Sequence, residues 1–343
     1  MPKHKFNAID LFAGCGGLSE GLRQAGFRTI AACEIDPVAV ETYKLNHSDV
    51  KMFANDIKQV NASELKKLLE KEPLHLLAGC PPCQGFSSLR RLNKKRSVRD
   101  RRNSLVHEYY RFIKELRPLT IMMENVPGLQ NYFKFQDMIK KLKRLGYLLD
   151  VAVVNVADYG IPQRRKRLIL VGSLLNEIKI APGINVKKTV AMCIGSIESI
   201  RETKDPLHKM VAKHTDRIME MIRLIPKDGG SRTDLPEKYV LECHKRKNVG
   251  FNDVYGRLKW DDYSSTITGG CLNPSKGRFL HPFKNRSITA REAALLQTLP
   301  RDYKFPVNAT KTEIALMIGN ALPSEFCRLQ SKNILDHLVV NYG

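Results

Sequence analysis

Short apolar runs and amphipathic stretches alternate through the first half of the chain. Phe6 to Phe12 reads as a strand, Leu18 to Ala25 as a helix ended by Gly26, and Thr29 to Glu34 as a second strand. Asp36 and Pro37 then open a helix over Pro37 to Asn46. Ser63 to Lys71 is helical, and Leu74 to Ala78 is a short buried strand. Asn103 to Leu116 is a helix that stops before Pro118, and Thr120 to Met123 is a strand. Phe133 to Leu145 forms a helix stopped by Gly146, and Tyr147 to Val156 and Arg167 to Val171 are further strands. This alternation predicts an α/β fold: a mainly parallel sheet with helices on both faces, whose ligands sit beyond the carboxyl ends of the strands.

After about Ser173 the rhythm breaks. Leu174 to Asn285 is rich in Gly, Pro, Lys and isolated turn signals, and regular helix returns only at Thr289 to Leu299 and from Lys311 onward. The expected organisation is a first domain over 1–180 completed by 312–343, a smaller irregular second domain over 181–285, and a hinge over 286–311.

Charge narrows the partners. Lys and Arg total 57 against 35 Asp and Glu, a formal net charge of +22 that favours a polyanion. No long apolar span or basic amphipathic helix supports a membrane surface. Met1 to Lys5 is too short and polar for a secretory signal, and the eight cysteines are scattered, so an intracellular, reducing setting is expected.

Candidate chemistry lies at the strand ends. Asp10-Leu11-Phe12-Ala13-Gly14-Cys15-Gly16-Gly17 leaves the first strand and opens a helix, and its glycines let backbone approach a ligand. Glu34 ends the second strand, where a carboxylate suits the hydroxyls of a ribose. Asp36, before Pro37, reads as a helix cap. Asp56 follows Asn55 where a third strand should end and could accept from an adenine amino group. Three acids in this order point to an adenosine-bearing cofactor, while the glycine pattern falls short of the full dinucleotide fingerprint.

The next strand ends in Gly79-Cys80-Pro81-Pro82-Cys83-Gln84-Gly85-Phe86-Ser87. Two prolines stiffen the backbone before Cys83, and basic residues follow, a setting for a thiolate nucleophile. Cys80 and Cys83 also form a C-x-x-C pair, open to redox or zinc chemistry. Structural zinc would need two more ligands at similar spacing, and Cys243-His244 is the only Cys–His neighbour pair. The strand after that ends in Glu124-Asn125-Val126-Pro127, where a carboxyl at the edge of apolar Ile121-Met122-Met123 could be held protonated by burial.

At this point the residues resemble the cytosine-C5 DNA methyltransferases of the bacterial modification type. The blocks stand in the family's order and span nearly the whole chain: Asp10 to Gly17, Glu34, Asp56, Pro82-Cys83-Gln84, Glu124-Asn125-Val126, Gln163-Arg164-Arg165-Lys166-Arg167, Arg291 to Ala294 with Leu296-Gln297, and Gly319-Asn320. The resemblance implies a Rossmann-like S-adenosylmethionine-dependent methyltransferase domain beside a smaller, irregular target-recognition domain. It implies methyl transfer to C5 of a cytosine rotated out of double-stranded DNA. Cys83 would add to C6, Glu124 would hydrogen-bond or protonate N3, and Arg165 would lie against the base and its adduct.

Around the cofactor, the resemblance adds Phe12, Leu18, Ile35, Ile57, Pro82 and Asn320 to Gly14, Gly16, Gly17, Glu34 and Asp56. For the apolar members, plain core packing is an equal reading. Gln84 to Arg96 resembles the loop that closes over the target, with Ser87 and Arg102 as DNA contacts. Arg167 either touches DNA or holds Glu124. Ser265 to Gly270 resembles the Thr-rich element of the recognition domain, bringing Thr266, Thr268, Gly269 and Gly270 to DNA. Arg232, Lys245 and Arg278 fall in the same region, and Trp260 reads as core. The expected setting is a monomer in a prokaryotic cytoplasm, associated with the nucleoid through DNA, without metal, serving a restriction–modification system. Two alternatives remain: methylation of transfer RNA, and a catalytically inactive DNA-binding homologue.

Overall fold

A computed structural model describes residues 6–82, 105–242 and 253–343. The chain divides into two compact units, one comprising Met1–Tyr159, Lys166–Gly183 and Leu322–Gly343, the other Gly160–Arg165 and Ile184–Ala321.

The first unit is built on seven strands: β1 (Asn7–Leu11), β2 (Arg28–Cys33), β3 (Lys51–Phe53), β4 (Leu76–Gly79), β5 (Thr120–Asn125), β6 (Leu148–Asn155) and β7 (Lys166–Ser173). Their order across the sheet is β3-β2-β1-β4-β5-β7-β6. The pairs from β3 through β5 are all parallel. Strands β1, β4 and β5 are buried along their whole length. Their continuous apolar runs are what a sheet covered on both faces requires.

The expectation of a mainly parallel sheet holds for this half. β7 is the exception, running antiparallel to both β5 and β6. The link from β6 to β7 has only a single 3-10 turn, Val156–Tyr159, before residues 160–165 pass to the other unit. A connection without a crossover helix leaves the returning strand antiparallel.

Helices α1 (Gly17–Ala25), α2 (Pro37–Asn46), α3 (Ala62–Lys67), α4 (Leu105–Leu116) and α5 (Phe133–Arg144) link these strands. α4 buries Val106, Tyr109, Phe112, Ile113 and Leu116, and α5 buries Phe135, Met138 and Leu142; both stripes join the core formed with β1, β4 and β5. Truncating one of them, Phe112→Ala for instance, would cost ~3–5 kcal/mol. The Tyr109 hydroxyl donates to the carbonyls of Leu77 and Met122, tying β4 to β5 just short of the functional edge.

The second unit contains no strand longer than isolated bridges among the described residues. Short helices α6 (Val190–Ile194), α7 (Pro206–Lys209) and α8 (Asp216–Leu224) precede α9 (Ala290–Leu296) and α10 (Lys311–Asn320). The sequence reading carries 312 onward with the first domain, whereas α10 falls in this second unit and only α11 (Ser324–Tyr342) belongs to the first. Arg257, fully buried, organises much of the interior. Its guanidinium donates to the carbonyls of Ile222, Ile225, His281 and Lys284 and to Asn285 Oδ1. These bonds supply in the second unit what a regular ladder would otherwise provide.

Candidate active site

Because β1 to β5 are parallel, their carboxyl ends share one edge, and the predicted chemical residues of the first unit collect there. β1 runs into a tight turn in which Phe12, Gly14 and Gly16 have φ of 62°, 55° and 96°. Left-handed backbone at Gly14 and Gly16 explains why the sequence places glycine there. α1 starts from Gly16 without a side-chain cap, so the amides of its first turn are not closed off by a side chain of their own helix end.

Glu34 fastens this turn to the end of β2. Its Oε2 accepts from the Gly14 amide at 2.8 Å, and its Oε1 accepts from Ile35 and Asp36, both at 2.9 Å. A Cβ added at Gly14 would meet nothing within 4 Å, so the turn faces open space, and Ile35 beside it is 63% exposed. A carboxylate held by three amides, an open glycine turn and an exposed apolar side chain form a donor set that fits the ribose and adenine of an adenosine cofactor.

Asp56 is half-buried, and its Oδ1 accepts from the Lys58 amide. Asp36 is the cap of α2, accepting from Ala39, as the sequence reading has it. Gly17, Leu18 and Ile57 are buried, Ile57 within the main core, and Phe12 is half-buried against that core. Asp10 is buried at the end of β1, where its Oδ2 accepts from Ser19, whose hydroxyl also meets Tyr43. Burial, with smaller help from Glu34, pushes its pKa up to about 7.

The described chain resumes the chemical edge at β4, whose end leads through Cys80 and Pro81 to Pro82. Cys83, Ser87 and Arg102 lie outside the described residues, as does Lys245. What is described is the frame that leads to Cys83. Asn125 Nδ2 donates to the Pro81 carbonyl at 2.7 Å, while Asn125 Oδ1 accepts from Val126 at 2.9 Å. One side chain at the end of β5 thus clamps the proline segment at the end of β4. The sequence reading quoted Asn125 in a motif but gave it no role; a buried amide at the end of an apolar strand was the available signal. Burial first, then the neighbouring Glu124, pushes the Cys80 thiol well above its ordinary range, so Cys80 is held as a thiol.

Glu124 itself is nearly buried and ion-paired: Arg167 Nε lies 2.6 Å from its Oε1, with the two side chains 14% and 11% exposed. Arg167 also donates to the Lys166 carbonyl. Of the two roles read for Arg167, the structure places it on the carboxyl.

Arg165 is buried in the second unit. Its Nη1 donates to the Ile267 carbonyl at 2.8 Å, and Nη1 and Nη2 both reach the Gly319 carbonyl at 3.1 Å. Gln163 donates to Leu296 and Gln297, and Gln297 donates in turn to the carbonyls of Ile318 and Ala321. Four sequence blocks, at Gln163–Arg165, Thr266–Ile267, Leu296–Gln297 and Ile318–Gly319, therefore form one hydrogen-bonded knot. Gly319 is required in it, because a Cβ there would stand 2.0 Å from the Thr268 carbonyl carbon. Thr266, Thr268, Gly269 and Gly270 are half-buried around the buried Ile267, and the Thr266 hydroxyl donates to the Arg164 carbonyl. Asn320, which ends α10, is exposed in the same unit.

Arg164 is mostly exposed and paired with Asp262, in keeping with a solvated role. Arg278 donates to the carbonyls of Gly229, Gly230 and Arg257, and Arg232 is buried, so both are drawn into the unit's own structure. Trp260 packs edge-on against Phe283 at 5.5 Å. Among the described residues, no cluster of three or more His, Cys, Asp or Glu could hold a metal ion, and no helix is long and apolar enough to cross a membrane.

Fold and site together define a Rossmann-like methyltransferase, and comparison with known proteins makes the class specific. A family model described as C-5 cytosine-specific DNA methylase matches residues 6–335. The Type II methylase M.HgiDII of Herpetosiphon aurantiacus is 36% identical over 339 residues, which cover 95% of this chain and 94% of that protein. The Type II methyltransferase M1.HphI of Haemophilus parahaemolyticus is 30% identical, covering 92% of this chain and 82% of its own length. A crystal structure described as a DNA modification methyltransferase encoded within a prophage of E. coli superposes with a TM-score of 0.71 at 26% identity, covering 98% of this chain and all of that one. The chain belongs to the C-5 cytosine-specific DNA methylase family, and its activity is DNA cytosine-C5 methylation.

Proposed function

We propose that the protein transfers a methyl group from S-adenosylmethionine to C5 of a cytosine extruded from double-stranded DNA, by way of a transient bond between Cys83 and C6 of the base. The observation that carries this reading is the frame at the ends of β4 and β5: Asn125 holds Pro81, two residues before Cys83, while Arg167 holds the adjacent Glu124.

The cofactor, when bound, supplies an electrophilic methyl group. Glu34, with the Gly14 turn it anchors and the exposed Ile35, would hold the adenosine part, and Asp56 would face the adenine edge. Cytosine C5 is a poor nucleophile until a thiolate adds at C6 and makes it enamine-like. Cys83 supplies that sulfur, and Glu124, its Oε1 held by Arg167, would take a proton from solvent on its other oxygen and hydrogen-bond or pass it to N3, taking up the charge that develops in the ring. A base, for which water is a candidate, removes the C5 proton, and the thiol then leaves. Extruding the base from the stack comes first, because neither ring face is reachable in a duplex.

The second unit, with Thr266, Thr268, Gly269 and Gly270, serves as the target-recognition domain. Arg165 then acts on the base through the segments it fastens as well as by its own charge. The likeness to proteins called Type II methyltransferases supports a modification enzyme of a restriction–modification system; its action as a monomer in a prokaryotic cytoplasm is part of the same proposal. Incubation with labelled cofactor and either duplex DNA or transfer RNA tests the reading: label is expected in DNA, and label in transfer RNA alone would overturn it. Bisulfite sequencing of DNA from expressing cells would give the target site.

A further inference from the structure

We infer that a lysine-lined cavity in the second unit is a binding site for a phosphate of the DNA backbone, an inference that rests on the reading of this protein as one that acts on duplex DNA. The cavity has a volume of about 310 Å³ and is lined by Lys213, His214, Gly269, Gly270, Lys276 and Lys311, among others. No Asp or Glu is among the described residues that line it. Three lysines border one concavity with no carboxylate among its described lining residues, so positive charge gathers there and a bound anion is favoured.

The cavity is built, and its floor depends on the glycine pair that the sequence reading assigns to DNA. A Cβ on Gly269 would come 2.8 Å from Leu316 Cδ1, and a Cβ on Gly270 would come 2.8 Å from Lys276 Cβ. Glycine at both positions therefore lets the loop close on α10 and lets the Lys276 stem cross it. Lys311, the first residue of α10, is steered by the Val211 carbonyl at 3.5 Å. The nearby acid, Glu313, is turned back on Thr310, accepting from its amide and its hydroxyl. His214 adds an independent sign: its Nε2 is buried and has no hydrogen-bond partner among the described residues. Burial, then Lys311, lowers its pKa, so at neutral pH it is an uncharged group beside the three cations.

The phosphate of a duplex satisfies this set. Contacts of this kind fix the register of a protein on DNA without reading bases, and they place the neighbouring threonines and glycines for the readout.

The test is duplex binding by fluorescence anisotropy across a salt series, for the wild type, for K213Q, K276Q and K311Q singly, and for the triple variant. Each phosphate contact contributes about 0.9 to the slope of log affinity against log salt. Because the three lysines share one phosphate, the slope should flatten by about 0.9 in total in the triple variant and by no more than that in any single variant, with binding weakened equally on all sequences. A control, K67Q on α3, should leave the slope unchanged. Melting curves of each variant exclude unfolding. Wild-type-like slopes in the triple variant, while the wild type binds and methylates DNA, would overturn the phosphate site alone. A wild type that neither binds nor methylates DNA would instead overturn the reading on which it rests. Inorganic phosphate is titrated separately at constant ionic strength. Saturable binding that the triple variant loses, with unchanged DNA slopes, would assign the cavity to free phosphate and refute the DNA assignment.

Discussion

Arg167 reaches from β7 to Glu124 on the neighbouring antiparallel strand β5 and sets its Nε 2.6 Å from Oε1. The antiparallel strand thus carries the cation that fixes the orientation of the acidic group at the end of the parallel ones. Arg167→Ala should lower kcat by roughly 10- to 100-fold, short of the ~10²–10⁴ that an acid–base group itself contributes. The KM for the methyl donor should change little. Steady-state kinetics with labelled donor checks this, and an unchanged kcat would remove Arg167 from the mechanism.

Glu34 makes three charge-assisted bonds to backbone amides at the cofactor edge. Glu34→Gln keeps the shape but loses the charge. With ~1.5–3 kcal/mol per bond to a charged group, affinity for the methyl donor should fall at least tenfold. Calorimetric titration of the donor, without DNA, measures it, and unaltered affinity would contradict the assigned ribose contact.

Asp10 links stability to pH. Its folded pKa is raised from 3.8 to about 7, so between those values the folded state holds a proton that the unfolded chain has released. Stability should therefore fall as pH rises from about 4 to about 7, by on the order of 4 kcal/mol, and then level off. Asp10→Asn should flatten that slope in melts followed across the same range. A wild-type slope of opposite sign, or one unchanged in the variant, would show that Asp10 is charged in the fold.

The knot around Arg165 makes the second unit sensitive at a distance in sequence. Arg165→Met retains bulk but strips the donors from the Ile267 and Gly319 carbonyls. Gly319→Ala forces backbone apart at Thr268. Each should cost ~2–5 kcal/mol, seen as a lower melting temperature and early proteolysis within residues 184–321. Melting at the wild-type temperature would mean that these contacts are dispensable.

Where backbone chemistry is local, the sequence was sufficient. Pro37 to Asn46 is a helix at those bounds because Asp36 caps it and Pro37 starts it, and Gly26 ends α1 in the left-handed conformation. The strand ends, and with them Glu34 and Glu124, followed from runs of apolar residues. What stayed hidden depends on groups brought together from afar. Nothing in the sequence singles out Arg257, and Arg165 reads there as a base contact; both are buried because several carbonyls, set free by irregular backbone, converge on each. The reversal of β7 was equally unreadable, since its residues alternate no differently in either direction.

The central claim, a bond from Cys83 to the ring, is tested most directly with a duplex target site carrying 5-fluorocytosine. Fluorine at C5 cannot leave as a cation, so after methyl transfer the adduct has no proton to lose and the sulfur stays attached. Intact-mass analysis with S-adenosylmethionine should show protein and methylated DNA joined one to one, with the bond mapped to Cys83 and absent from Cys83→Ser. Methyl transfer to ordinary duplex DNA by Cys83→Ser, or an adduct mapped to another residue, would contradict the account.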